Sequence, residues 1–211
     1  MSGQMILAIE TALGGGSVAL LGGDEILYQH SGSVSRAAEL ILAVDEALES
    51  ARSPVTDLQM IAVSTGPGSF TGIRVGIATA LGLARSREIA VSGISLFDAI
   101  ASADPMDNAV VAIQLGRGRF GVQSFSCDGS TAKAESDPTS MTESELSKKI
   151  LETPSLKFFI YGDEALFAAS DTMSRIPPNV RFIDENLAVL IAKRAIDMET
   201  PGKLLPIYLG R

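Results

Sequence analysis

Two short apolar runs, ILAIE (Ile6 to Glu10) and VVAIQ (Val110 to Gln114), repeat each other at an offset of 104 residues and end on polar side chains. A carboxylate at the end of a strand can hold a divalent cation or take a proton. Glu10 has that type, whereas Gln114, its counterpart, carries no charge and can do neither. The turn TALGGG follows Glu10, and the residues favour a carboxylate that caps this turn over a free base.

A second candidate is Ser64 to Ala84, STGPGSFTGIRVGIATALGLA. A phosphate cradle needs a glycine turn between a strand and a helix N-terminus, so that free N–H groups and the helix dipole face the anion. The context fits, but Gly66, Gly68 and Gly72 give GxGxxxG where a dinucleotide loop has GxGxxG, and no lysine follows as in a Walker loop. Ser64, Ser69 and Thr71 read as helix caps, because the only histidine, His30, lies at the end of a distant strand. Cys127, in FSCDG, has no base beside it in sequence and reads as a packing residue. One histidine and one cysteine cannot assemble a His/Cys metal site. These residues thus predict no catalytic, cofactor or metal site. Arg74, alone on an apolar helix, must find a partner or stay wet, and a carboxylate at the lobe edge or on another chain is expected. Arg117 and Arg119, in LGRGRFG, could touch a phosphate, but the residues favour a solvated hairpin tip.

Short apolar runs and periodic stretches position these residues. Met5 to Ile9 and the two runs of GGGSVALLGGDEILYQHSG predict a three-stranded meander. From Ser35, an expected N-cap, SRAAELILAVDEALESAR aligns Ala37, Ile41, Val44, Leu48 and Ala51. Leu40, Ala43 and Ala47 widen that stripe to roughly 160°, more apolar face than one neighbour needs. DLQMIAVST and EIAVSGIS predict strands on either side of the glycine-headed helix, and LFDAIASA a short helix. In that glycine-headed helix Gly72, Gly76, Ala80 and Ala84 recur every four residues, a groove into which another helix would fit closely. After Asp104-Pro105-Met106-Asp107 the pattern restarts, with FGVQSFS and STAKAES as strands, TESELSKKILE as a helix capped by Thr142 and Glu145, LKFFIYG as a strand and ENLAVLIAKRAIDM as a closing helix. Two similar βββαβ units are the simplest account.

The 211 residues are 46% hydrophobic, and the net charge is −8. No overall positive field exists to gather nucleic acid, so tight direct binding of nucleic acid is not expected. A single cysteine suits a reducing compartment, and the apolar run before Glu10 is too short for a signal or a membrane span. A cytoplasmic location is expected.

ILAIETALGGGSVALL, the GPGSFTG-R-G core of the middle stretch and PIYLGR resemble the bacterial TsaB (YeaZ) family of the tRNA threonylcarbamoyladenosine synthesis machinery. The resemblance implies an α/β, actin-like (ASKHA) fold of two ribonuclease-H-like lobes, 1–104 and 105–211, with the closing helix and tail able to return to the first. It implies a non-catalytic subunit without cofactors that dimerises with the TsaD-type catalytic subunit, joined by a TsaE-type ATPase, for threonylcarbamoyl transfer to adenosine 37 of tRNA. The first two helices, about Ser35 to Arg52 and Thr71 to Ser86, would carry the partner contact, at Leu40, Ala43, Ala47, Gly72, Ile73, Arg74, Gly76, Ile77 and Ala80. A homodimer through the same helices is the competing occupant. The family has Asp where this chain has Glu10, a histidine near Ala37, and DAR-x-x-E-V-Y where this chain reads QLGRGRFGV with Gln114. The HxxxH metal pair of the catalytic relative is absent. The rival expectation is a nucleotide-dependent kinase or hydrolase of the same fold.

Overall fold

The first strands are apolar on both faces because helices cover both. β1 (Met5–Glu10) pairs antiparallel with β2 (Ser17–Gly22), Ile9 opposite Val18, and β2 with β3 (Glu25–Ser31). On its other side β1 pairs parallel with β4 (Met60–Ser64), and β4 with β5 (Ala90–Ile94), giving the order β3-β2-β1-β4-β5. The parallel steps need crossovers, which α1 (Ala37–Ser50) and α2 (Phe70–Arg85) supply. α3 (Leu96–Ala103) follows. The structure, a computed structural model, describes residues 4–34, 36–85, 88–116, 118–128, 131–168 and 176–209. The expected cap Ser35 and the hairpin residue Arg117 lie outside the described residues.

The pleat sends Leu7, Ile9, Val18, Leu20, Ile61 and Val63 to one face, where they meet Leu40, Ala43, Val44 and Ala47 of α1 and Ala80 and Ala84 of α2. Ile6, Ala8, Ala19, Leu21 and Ala62, equally buried, point the other way. That second face is covered by α6 (Leu187–Ile196), which packs on β1, β2, β4 and β5. The side chain of Asn186 caps α6 by accepting from Val189 N at 3.1 Å, and its amide donates to His30 O and Ser31 Oγ. Ala188 N donates to Ser17 Oγ at 3.1 Å. On the helix's other end Arg194 pairs with Asp98 of α3 at 2.8 Å. The chain therefore divides into one unit of Met1–Ala99 with Glu185–Tyr208, and a second built on Ile100–Asp184.

In the second unit β6 (Ala109–Gly116), β7 (Arg119–Asp128) and β8 (Thr131–Ala134) form an antiparallel meander, and β10 (Lys157–Tyr161) and β11 (Val180–Phe182) add parallel strands beside β6, in the order β8-β7-β6-β10-β11. The order matches that of the first sheet. The 104-residue offset breaks by one in the pairing: Ile9 faces Val18, but Val122 faces Ala112, because the second hairpin shifts register between Gln114 and Gly116. β9 (Thr139–Thr142) pairs with β7 and leads into α4 (Glu143–Glu152), whose expected capping box between Thr142 and Glu145 is present in both directions. α5 (Glu164–Ala168) brings Phe167 against Phe120 and Phe182, at 5.8 and 5.7 Å between centroids. β9, α5 and β11 have no counterpart among the sequence expectations.

Candidate functional site

The glycine stretch opens where β4 ends. Ser64 is buried, the Gly66–Pro67 bond is cis, and Gly66 has φ +95. Gly66 N donates to Ser64 Oγ at 3.1 Å, Ser69 N to Ala12 O at 2.7 Å, Gly72 N to Ser69 Oγ at 3.2 Å and Ile73 N to Ser69 O at 2.9 Å. The amides of Gly66, Ser69, Gly72 and Ile73 are therefore engaged within the chain. Ser69 caps α2 as expected, whereas Ser64, the last residue of β4, closes the turn after its own strand instead, and Thr71 lies within the first turn of the helix.

The glycines do serve close approach, but not of another helix. A Cβ on Gly68 would run into Ala12, one on Gly72 into Thr11 O, and one on Gly76 into Thr11 Oγ1. The Thr11 hydroxyl also donates to Gly72 O at 2.8 Å. α2 thus lies directly on the turn that leaves β1, and the expected groove for a neighbouring helix is filled by that turn. Gly82, by contrast, faces open space.

Of the residues expected at a partner contact, Leu40, Ala43, Ala47, Ile73 and Ala80 are at most 5% exposed, and Gly72 and Gly76 are buried as well. All seven lie inside their own unit, so the contact expected at them has no free surface there. Ile77 is half-buried and Arg74 is exposed. The apolar excess of α1 emerges at Ile41 and Leu42, 39% and 63% exposed, and that of α2 at Phe70 and Leu81, 49% and 46% exposed. Ile41 lies on the 4-3-4-3 line of the sequence stripe and Leu42 off it, so the buried face is turned toward Leu40, Ala43, Val44 and Ala47 rather than centred on that line. Among the described residues no carboxylate pairs with Arg74, contrary to the expectation within the chain; its guanidinium carbon sits 3.6 Å from the centroid of the Phe70 ring, a cation–π contact.

Glu10, 1% exposed, turns back to accept from Ala12 N and Leu13 N, the latter at 3.0 Å. Burial pushes its carboxyl up to about 7 against the lowering effect of those amides. It caps the turn that α2 rests on. Gln114, its counterpart in the second unit, does not cap its own turn: its Oε1 accepts from Asp163 N at 2.9 Å, just past the end of β10. His30 Nε2 lies 2.8 Å from Gly32 O. Arg119 donates from Nε and Nη2 to Ser140 Oγ at 3.2 and 2.8 Å, which makes it a strut within its own sheet. Among the described residues no three His, Cys, Asp or Glu side chains are grouped to hold a metal ion, and no helix is long and apolar enough to cross a membrane.

A family model described as TsaD, tRNA N6-adenosine threonylcarbamoyltransferase, matches residues 33–152, more than half of the chain. The chain belongs to this family, on its TsaB (YeaZ) side. The Escherichia coli (strain K12) tRNA threonylcarbamoyladenosine biosynthesis protein TsaB is 38% identical over 92 residues, 43% of this chain and 39% of that protein. The protein of the same name from Buchnera aphidicola subsp. Schizaphis graminum is 33% identical over 100 residues, 46% of this chain and 47% of that one. The matched stretches thus span less than half of either relative's own length. YeaZ from Pseudomonas aeruginosa superposes with a TM-score of 0.72 at 19% identity, over 98% of this chain and all of that one. The fold is accordingly the α/β, actin-like fold of two ribonuclease-H-like units.

Proposed function

We propose that this chain works in tRNA threonylcarbamoyladenosine biosynthesis as a non-catalytic, cytoplasmic subunit that binds and activates a TsaD-type catalytic protein. The observation that carries the reading is the apolar surface that α1 and α2, packed together on one face of the first sheet, turn outward at Ile41, Leu42 and Leu81. Large apolar side chains left exposed on adjoining helices suit a second helical surface. Arg74, exposed and in contact with the Phe70 ring, lies on the same outer stripe of α2, where its N–H groups would serve a partner. The engaged amides of the glycine turn, the inward-bonded Glu10 and the uncharged Gln114 speak against a nucleotide-dependent kinase or hydrolase. A TsaE-type ATPase would join the pair, and a second copy of this chain would compete for the same face. With a net charge of −8, the tRNA is held by the partner.

Co-purification with the TsaD-type protein tests this. Leu42→Asp and Leu81→Asp should leave the isolated chain's stability within about 0.5 kcal/mol, as surface changes do. Each should weaken association at least tenfold, about 1.4 kcal/mol. Leu40→Asp, which buries a charge in the chain's own core, should instead unfold it. Association untouched by both outward aspartates would refute the helix-pair contact.

A further inference from the structure

After α6 the chain runs back along the first unit without regular secondary structure, and its residues are chosen for extended, close-fitting backbone. Pro201 and Pro206 fix φ near the extended value, which lowers the entropy lost on docking. Between them Gly202 crosses Gly93, on the edge strand β5, at backbone distance. Gly93 N donates to Gly202 O at 3.0 Å and Gly202 N to Ser92 Oγ at 2.9 Å. A Cβ on Gly202 would strike Gly93 O, and one on Gly93 would strike Lys203 O. Farther on, Ile207 N donates to Thr65 O at 2.8 Å, and the Tyr208 ring lies 5.0 Å from that of Phe70, the first residue of α2. Thr65 and Gly66 join β4 to α2, and a side chain on Gly66 would meet Ile207 O at 3.0 Å. The segment therefore fastens to a sheet edge at one end and to the head of α2 at the other.

Its outer side is wet. Lys203, Leu205 and Pro206 are exposed, Leu205 by 66%, while Leu204 alone reaches the first unit's core cluster. A segment held by few backbone bonds, the Leu204 side chain and the half-exposed Tyr208 ring belongs to the low-stability end of a protein's local openings. An edge strand stripped of such a cover offers its unpaired N–H and C=O groups to another strand.

We propose that residues 201–208 are a releasable strap: closed, they cap the β5 edge and hold the glycine turn and the head of α2 in place, and opened, they loosen both together. The inference does not depend on which partner α1 and α2 bind.

Amide hydrogen exchange on the full chain tests it, comparing wild type with Gly202→Ala. In wild type the amides of Gly93 and Ile207 should be protected, yet exchange faster than those of Ile61 and Ala62 in β4. In the variant, Gly93 and Ile207 should exchange at least tenfold faster. Ser69 and Leu96, whose amides bond Ala12 O and Gly66 O, should speed at least threefold, with Ile61 and Ala62 unchanged. Trypsin should cut after Lys203 faster by a similar factor. Ile207→Pro, which removes the donor to Thr65 O without crowding the glycine pair, should give the same pattern and decides the matter if Gly202→Ala does not fold. Strap amides exchanging at free-peptide rates in wild type would overturn the proposal. So would faster strap exchange that leaves Ser69 and Leu96 untouched, or a uniform increase through β4 in both variants.

Discussion

Glu10→Gln separates the charge of the buried carboxyl from its hydrogen bonds. The glutamine keeps an oxygen for the Ala12 and Leu13 amides but has no proton to lose. Burial moves the Glu10 carboxyl from 4.5 to about 7, whereas in the unfolded chain the proton leaves near the ordinary value. Between those two pH values the native state binds the extra proton, so stability falls as pH rises. The contribution is complete below about pH 4.5 and gone above about pH 7. At about 1.36 kcal/mol per pH unit the window is worth about 3 kcal/mol. The variant escapes this loss, apart from a constant cost of about 1–3 kcal/mol if its buried NH2 group stays unpaired. Urea unfolding of both proteins from pH 4.5 to 8 reads the difference directly, and the subtraction removes titrations that they share. The variant should gain on wild type by about 3 kcal/mol across the range, or on the order of 6–12 °C in midpoint for a chain of this size. A difference that stays flat from pH 4.5 to 8 would refute a carboxyl held protonated by burial.

Two further substitutions probe α2 and α6. Gly82→Ala, facing open space, should stabilise by up to about 1 kcal/mol in thermal or urea unfolding, while Gly76→Ala, forced against Thr11, should cost about 1–3 kcal/mol. Equal effects at the two positions would mean that α2 does not rest on the β1 turn. Asn186→Ala removes the α6 cap and the bonds to His30 O and Ser31 Oγ, at a cost of about 1–2 kcal/mol. Asn186→Ser should recover part of that in the same unfolding assay, since a serine can still cap.

The sequence was most legible where one periodicity ruled. The buried runs of β1, β4 and β6, the stripe of α1 and the Thr142–Glu145 box follow from local pattern and capping chemistry alone. β9, α5 and β11 are too short to show a period, and β11, with its alternation of Val180, Arg181 and Phe182, exists because β10 offers it an edge. The partner face failed to read out for a different reason. Apolar periodicity reports that a helix face is buried, not by what, and Leu40, Ala43 and Ala47 satisfy it with their own sheet. Ile41, inside the period, and Leu42, outside it, both face outward. The glycines of α2 likewise signal close approach without naming the neighbour, which is Thr11 and Ala12, some sixty residues away in sequence. Arg74 stays wet on the outside of α2, its guanidinium over the ring of Phe70 one turn before it.

The first unit is assembled from the two ends of its sequence span, and this bears on how the chain emerges from the ribosome. When Ala99 has been made, the sheet can pair and α1 and α2 can cover one of its faces. The other face, with Ile6, Ala8, Ala19, Leu21 and Ala62, must wait for α6, some ninety residues later. At about 5–20 residues per second that is on the order of five to twenty seconds of synthesis with an apolar sheet face uncovered, while the whole second unit is being made. Contacts so far apart in sequence also slow folding once the chain is free. A nascent chain stalled near Asp184 should therefore bind holdase chaperones more strongly than one stalled beyond Tyr208, and restoring α6 as a separate peptide should displace them.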